Sequence, residues 1–191
     1  MDRLPSVVFD HFRAPRNEGE LLHPDAVGIV EGRKANSKLT LYLVLDASRT
    51  TIHKAGYTVS EDRSSRVGLS LLTTWLAGRP LAEAEATDVE KLAAVFGLPL
   101  ENWPMLLLPV ELLDAALGSL QGKPSCPVGL ADGPEICHCL QVREGRIRRT
   151  IRRRGLRTLE DVQFWTRACT GCRSCRVDVE RIVSDELRRR G

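Results

Sequence analysis

Cysteine placement constrains this chain more than any other feature. All six cysteines lie beyond residue 125, at Cys126, Cys137, Cys139, Cys169, Cys172 and Cys175. Five of them form two groups, Cys137-His138-Cys139 and Cys169-Thr170-Gly171-Cys172-Arg173-Ser174-Cys175. Close-set cysteines in a reducing compartment are metal ligands more often than disulfides. Thiolates favour zinc, copper(I) and iron–sulfur clusters, and four of them complete one zinc or one pair of irons. The spacing points to metal binding and leaves the metal open.

Charge changes where the cysteines begin. Residues 1–120 carry 12 basic and 16 acidic side chains, whereas residues 121–191 carry 16 and 9. The stretch between, Gln121 to Pro134, is rich in glycine and proline and reads as a linker. Two domains are therefore expected, 1–120 and 135–191, joined by 121–134. At 42% hydrophobic and 28% charged the chain can bury a core and does not have a disordered composition. No apolar run reaches the roughly 20 residues of a membrane span, since Met105 to Val110 meets Pro109. Met1 to Pro5 offers no apolar signal-peptide core. A cytoplasmic location without membrane contact is the expectation.

The first domain reads as α+β. Pro5 to Phe12 suggests a short helix with proline in its first turn, stopped before Pro15. Leu39, Leu41, Leu43 and Leu45 alternate with Thr40, Tyr42 and Val44, a strand period, and Ile52 to Val59 is a partner strand. The period then changes to helical. Val67, Leu71, Leu72, Trp75 and Leu76 form one face ending at Gly78. Val89, Leu92, Val95 and Phe96 form a second ending at Gly97, and Leu112, Leu113, Ala116, Leu117 and Leu120 a third. Strands followed by helices predict an antiparallel sheet with helices on one face. No strong catalytic constellation is visible. Asp10-His11 could be an acid–base or metal pair, but a lone histidine without partner ligands more often packs. His23 and His53 have no ligand-type neighbours, and Glu61-Asp62 reads as a solvated turn. No enzyme activity is expected.

Val8-Phe-Asp-His-Phe-Arg-Ala-Pro-Arg-Asn-Glu-Gly19 resembles the N-terminal signature of the IscU/NifU iron–sulfur scaffold domain. Leu71 to Ala84 resembles that family's following helix and turn, and residues 110–117 its last helix. The resemblance implies a scaffold built to assemble a cluster on three cysteines, with an aspartate two residues after the first. Those positions are changed here. Asn36 falls at the first cysteine, Lys38 at the aspartate, Asp62 near the second cysteine and Met105 at the third, with Pro104 where a histidine often stands. Asparagine and methionine replace thiolates poorly, and a lysine repels a metal cation. The expectation is a scaffold fold that has lost its cluster-building chemistry. A metal site on Asp62 and Asn36 is disfavoured on ligand softness.

The second domain reads as helical. Gly145 to Arg154 carries Ile147 and Ile151 on one side and stops at Gly155. Thr158-Leu-Glu-Asp161 is a capping-type start, followed by Leu159, Val162, Phe164 and Trp165 on an apolar face. Val179, Ile182, Val183 and Leu187 mark a last amphipathic helix. A metal would add stability to so small a unit.

Ile136 to Val162 resembles the bacterioferritin-associated-ferredoxin-type domain found in the middle of NifU. That resemblance implies one 2Fe–2S cluster held by Cys-x-Cys and by Cys-x-x-Cys about thirty residues later. Carried onto this sequence it implies Cys137, Cys139, Cys172 and Cys175 as ligands, because Arg176 to Glu180 aligns only in that frame. Cys169 is extra in this frame and reads as an unligated thiol near the cluster. Cys126, between Pro124 and Pro127, is an incidental thiol or a transfer ligand, the former favoured. Histidine does replace cysteine in some 2Fe–2S centres, but a residue between two ligands usually points away, so the four-cysteine site is preferred to one with His138.

Residues 143–157 hold eight arginines, at 143, 146, 148, 149, 152, 153, 154 and 157. Without interleaved aromatics they suit an anionic cluster or an acidic redox partner better than a solvated face, and a solvated face better than nucleic acid. Together the resemblances imply an accessory or electron-transfer component of iron–sulfur cluster assembly, working with assembly proteins such as a cysteine desulfurase. Nothing in the sequence opposes a homodimer. With the sequence stopping at Gly191, the expectation is a short NifU-type chain without the Nfu-type carrier of complete NifU proteins. Two alternatives stay open: a stand-alone ferredoxin-like redox protein, for instance for iron release, and a zinc-stabilised binding module.

Overall fold

The computed structural model describes residues 5–31, 38–60, 63–122, 133–140 and 142–189. The chain divides into two compact units, residues 1–127 and residues 128–191.

The first unit is α+β. Helix α1 (Ser6–Arg13) starts directly after Pro5, whose fixed φ suits a helix entry. Strands β1 (Ala26–Glu31), β2 (Lys38–Leu45) and β3 (Ile52–Val59) form an antiparallel sheet in the order β1-β2-β3. Ala26 faces Leu43 across one pair, and Leu39 faces Val59 across the other. The leucines at 39, 41, 43 and 45 are all buried, as their alternation predicts.

The pattern of the sequence did not announce β1. Gly28 sits at its centre, and glycine weakens a strand signal. The structural reason lies in helix α5 (Leu107–Leu120), which crosses β1 so closely that a Cβ at Gly28 would strike the Leu112 carbonyl.

Helix α2 (Arg63–Leu76) packs on β3 and buries Val67, Leu71, Leu72, Trp75 and Leu76. Helix α3 (Leu81–Glu85) is a short addition with no sequence signal of its own. Helix α4 (Val89–Val95) is capped by the Asp88 carboxylate, which accepts from Lys91 N–H at 2.8 Å. Its buried face is Val89, Leu92 and Ala93, while Val95 is 51% exposed, a correction to the stripe expected for it.

The segment Asn102–Leu120 is long and apolar enough, by length and composition, to cross a membrane. Pro109 does not break it, because it falls in the first turn of α5 where a missing N–H costs little. Half of the segment is buried in the protein, as in a core helix.

The second unit is helical with one small hairpin. Strands β4 (Glu135–Cys137) and β5 (Val142–Arg143) pair antiparallel. Helix α6 (Glu144–Arg154) ends at Gly155 in the left-handed conformation. Helix α7 (Leu159–Thr166) opens with a reciprocal capping box between Thr158 and Asp161. Helix α8 (Arg176–Arg188) follows Cys175 directly. Ile147, Ile151, Val162, Val179, Ile182 and Val183 form the core with Cys137, Cys169 and Cys175.

Candidate metal centre

The two cysteine groups reach the same place from opposite ends of the helical unit. Cys137 closes β4 and Cys139 lies in the turn towards β5. Cys172 lies in the loop between α7 and α8, and Cys175 occupies the position just before α8. That loop is sharply folded, with Arg167, Cys169 and Arg173 all at φ near +60°.

The sulfurs connect in sequence around the site. Cys137 Sγ is 3.7 Å from Cys139 Sγ, and Cys139 Sγ is 3.4 Å from Cys172 Sγ. Cys175 is buried in the same core as Cys137, whose thiol contributes to raising its pKa. All five described cysteines are free thiols. Cys137 and Cys175 are buried, while Cys139 and Cys172 are exposed. Gly171 lets the loop close on the site, since a Cβ there would lie 2.9 Å from Cys139 Sγ.

The thiols differ in acidity, and exposure alone does not set the order. Hydrogen bonds from the Ser174 hydroxyl and N–H hold Cys172 down at about 7. Burial pushes Cys175 up to about 12, and the neighbouring Cys137 thiol adds to it. A Cys172 N–H favours the Cys139 thiolate, but the adjoining Cys172 and Cys137 thiols and partial desolvation together leave its pKa raised. A metal taking these thiols must displace protons from groups of very unequal acidity.

Cys169 is buried, but its sulfur turns to the Arg173 carbonyl at 3.8 Å, and its own carbonyl accepts from Gln163 Nε2 at 3.1 Å. His138 is 80% exposed in its side chain and shares a 2.9 Å hydrogen bond with Glu135. Cys126 lies outside the described residues.

The donor set fits a thiolate-bound metal centre. Thiolates about 2.3 Å from one tetrahedral metal lie about 3.8 Å apart, which matches the Cys137–Cys139 pair. Among the described residues, no three of His, Cys, Asp or Glu are placed to hold a single ion. Four thiolates complete either one zinc or one 2Fe–2S centre, so the donor set accommodates both.

Among the described residues of the first unit, the candidate positions form no group of metal ligands. His11 is buried at 2% exposure and shares a 2.7 Å hydrogen bond with Ser70 of α2, so it packs rather than ligates. His23 and His53 are exposed and apart from it in the sequence. Lys38 opens β2 on the surface, and Pro104 and Met105 are half-buried in the 3-10 turn Leu100–Leu106. Asn36 and Asp62 lie outside the described residues.

Arginines of this run work inside the helical unit. Arg148 and Arg152 of α6 both bind Glu186 of α8, at 2.8 Å and 2.6 Å. The Arg154 guanidinium stacks over Trp165 at 3.5 Å, and Arg143 donates to the Gly133 carbonyl at 3.1 Å. Glu186 was not singled out by its residue type; its place on the buried stripe of α8 is the signal that marks it.

These features define a protein of two parts, an α+β unit with no cysteine among residues 1–125 and a helical unit that gathers the remaining cysteine groups. Residues 4–127 match the NifU-like N-terminal domain, and residues 135–185 match the BFD-like [2Fe-2S] binding domain. The chain belongs to the NifU-like family. It is 30% identical over 181 residues to the nitrogen fixation protein NifU of Azotobacter chroococcum, covering 94% of this chain and 58% of that protein. It is 27% identical over 191 residues to NifU of Azospirillum brasilense, covering 96% and 60%. The chain thus spans about three fifths of the curated relatives it matches. Among solved structures, a nitrogen-fixing NifU-like protein (N-terminal) from Brucella abortus overlays 62% of this chain and 87% of its own, at 16% identity and a TM-score of 0.38.

Proposed function

We propose that this protein is an accessory or electron-transfer component of iron–sulfur cluster assembly that carries a permanent 2Fe–2S cluster on Cys137, Cys139, Cys172 and Cys175. The observation that carries the reading is the contact of Cys139 with Cys172, 3.4 Å apart across 33 positions of sequence. It joins the two cysteine groups into one site that holds four sulfurs. When bound, the cluster supplies a one-electron couple. The chain's own part is to bury Cys137 and Cys175, to leave Cys139 and Cys172 at the surface, and to aim the start of α8 at the site.

The first unit contributes binding rather than chemistry in this reading. It has the scaffold fold of its family and no cysteine among residues 1–125. Its partners are assembly proteins, a cysteine desulfurase foremost, and the helical unit meets an acidic redox partner. The protein is not an enzyme in this proposal, and it works in the cytoplasm. The missing thiols of the first unit also favour a second reading, a stand-alone ferredoxin-like redox protein.

Anaerobic purification with iron, sulfide and zinc analysis tests the cluster. Two irons and two sulfides per chain, with colour that bleaches under dithionite, are expected. Cys137→Ser and Cys172→Ser should each lose the colour while the first unit stays folded by circular dichroism. Zinc in a colourless protein would instead establish a zinc-stabilised module. Pull-down of a cysteine desulfurase separates the assembly role from the stand-alone one, which predicts reduction by a reductase without that association.

A further inference from the structure

Ser174 stands between two of the four site cysteines. Its Oγ lies 3.2 Å from Cys172 Sγ, and its backbone N–H also reaches that sulfur. Either atom of the Ser174–Cys172 pair could donate while the thiol keeps its proton. A metal-bound thiolate has none, so the hydroxyl then becomes the only donor of the two. The remaining sulfurs meet other groups: Cys175 is buried, and Cys139 receives a backbone N–H from Cys172.

We propose that Ser174 is a positioning residue that sets the reduction potential of the bound cluster through an O–H···S hydrogen bond to Cys172. The inference rests on the reading of Cys172 as a ligand. Reduction adds one electron, delivered by an external one-electron donor such as dithionite, and no bond to the protein forms or breaks. The added electron raises the charge on the ligating sulfurs. A hydrogen bond strengthens as its acceptor becomes more negative, so Ser174 stabilises the reduced state more than the oxidised one. Hydrogen bonds to cluster sulfurs and solvent exposure are established determinants of such potentials. Cys172 is exposed, so water competes with the hydroxyl and limits the effect.

The test uses the full-length chain, purified anaerobically, as wild type, Ser174→Ala and Ser174→Thr. Each is assayed for iron and sulfide and then titrated with mediators against dithionite. The expected result is equal loading, with the reduction equilibrium of Ser174→Ala about three- to tenfold less favourable. Tenfold corresponds to a midpoint lower by about 59 mV for one electron. Ser174→Thr retains the hydroxyl and should keep the wild-type midpoint. A loaded Ser174→Ala with an unchanged midpoint overturns the inference and leaves the cluster reading intact. So does an equal shift in both variants, or a Ser174→Ala that cannot load while Ser174→Thr can, since either would mean a structural role. A wild type without iron overturns the cluster reading and the inference with it.

Discussion

Arg152 Nε lies 2.6 Å from Oε2 of Glu186, while Arg152 Nη2 and Arg148 Nη1 both reach Oε1 at 2.8 Å. The carboxylate is buried on the core side of α8, with Glu186 only 1% exposed. Hydrogen bonds from Arg152, then from Arg148, outweigh its desolvation and hold its pKa at about 2. This depressed value makes the clamp a source of stability above the ordinary glutamate pKa. The contribution is full above roughly 4.5 and is lost as pH falls through about 2. Each pK unit is worth about 1.4 kcal/mol, but Arg152 is 54% exposed and screened by water, which reduces the clamp to about 2 kcal/mol. Glu186→Gln should therefore lower the melting point of the helical unit at pH 6. The gap to wild type should narrow steadily below pH 4.5; a gap independent of pH would show that packing, and not charge, joins α6 to α8.

Gly171 allows the cysteine loop to approach Cys139. Its Cβ would come within 2.9 Å of the sulfur, a separation that one of the two groups must relieve by moving. Gly171 is itself exposed, so Gly171→Ala should leave the fold intact and strain only the site. A cost of about 1 kcal/mol would speed iron loss to a chelator about fivefold. The measurement is the decay of visible absorbance under chelator, with circular dichroism unchanged. Equal decay in the two proteins would mean that Cys139 has room to move.

His11 ties α1 to α2 through Ser70, which also accepts the Arg16 N–H at 2.7 Å. Burial, followed by the charge of Arg16, lowers the His11 pKa below 6.5. The unfolded chain therefore binds a proton more readily than the folded one below pH 6.5, and stability falls as pH drops through that range. His11→Ala should destabilise the first unit by about 2 kcal/mol at pH 7, from a lost hydrogen bond and a cavity. Its stability should also depend less on pH between 6.5 and 5. Chemical denaturation at the two pH values measures both effects.

The alternating leucines of β2, the Thr158–Asp161 cap and the Gly155 stop were legible because each is a local rule obeyed locally. β1 was not, because Gly28 answers to α5, about 80 residues away. The Val95 stripe failed because a helical period marks an apolar face without saying whether anything covers it. At the site, spacing pointed to thiolate chemistry, and the contact between Cys139 and Cys172 gave it a place. Ser174 and Gly171 carry no motif, as their importance is one of distance to sulfur. The arginine run suits an anionic cluster or an acidic partner by its sequence, yet Arg148 and Arg152 have a partner 38 and 34 residues on that only the fold brings near.

Cys169 separates two ligand assignments that spacing alone leaves close together. It is fully buried, near enough to Cys175 to raise that thiol's pKa, and only three residues from Cys172. Its sulfur nevertheless faces the Arg173 carbonyl, while Cys172 faces Cys139. Rotation of the buried Cys169 towards the site would require the loop held by Gln163 to yield. Cys169→Ala should thus keep two irons and two sulfides per chain and lose about 1 kcal/mol of stability from the small cavity it leaves. Cys172→Ala, on the surface, should cost little packing and abolish the colour. Retention of colour in Cys172→Ala together with its loss in Cys169→Ala would move the fourth ligand to Cys169 and require the α7–α8 loop to refold when the cluster binds.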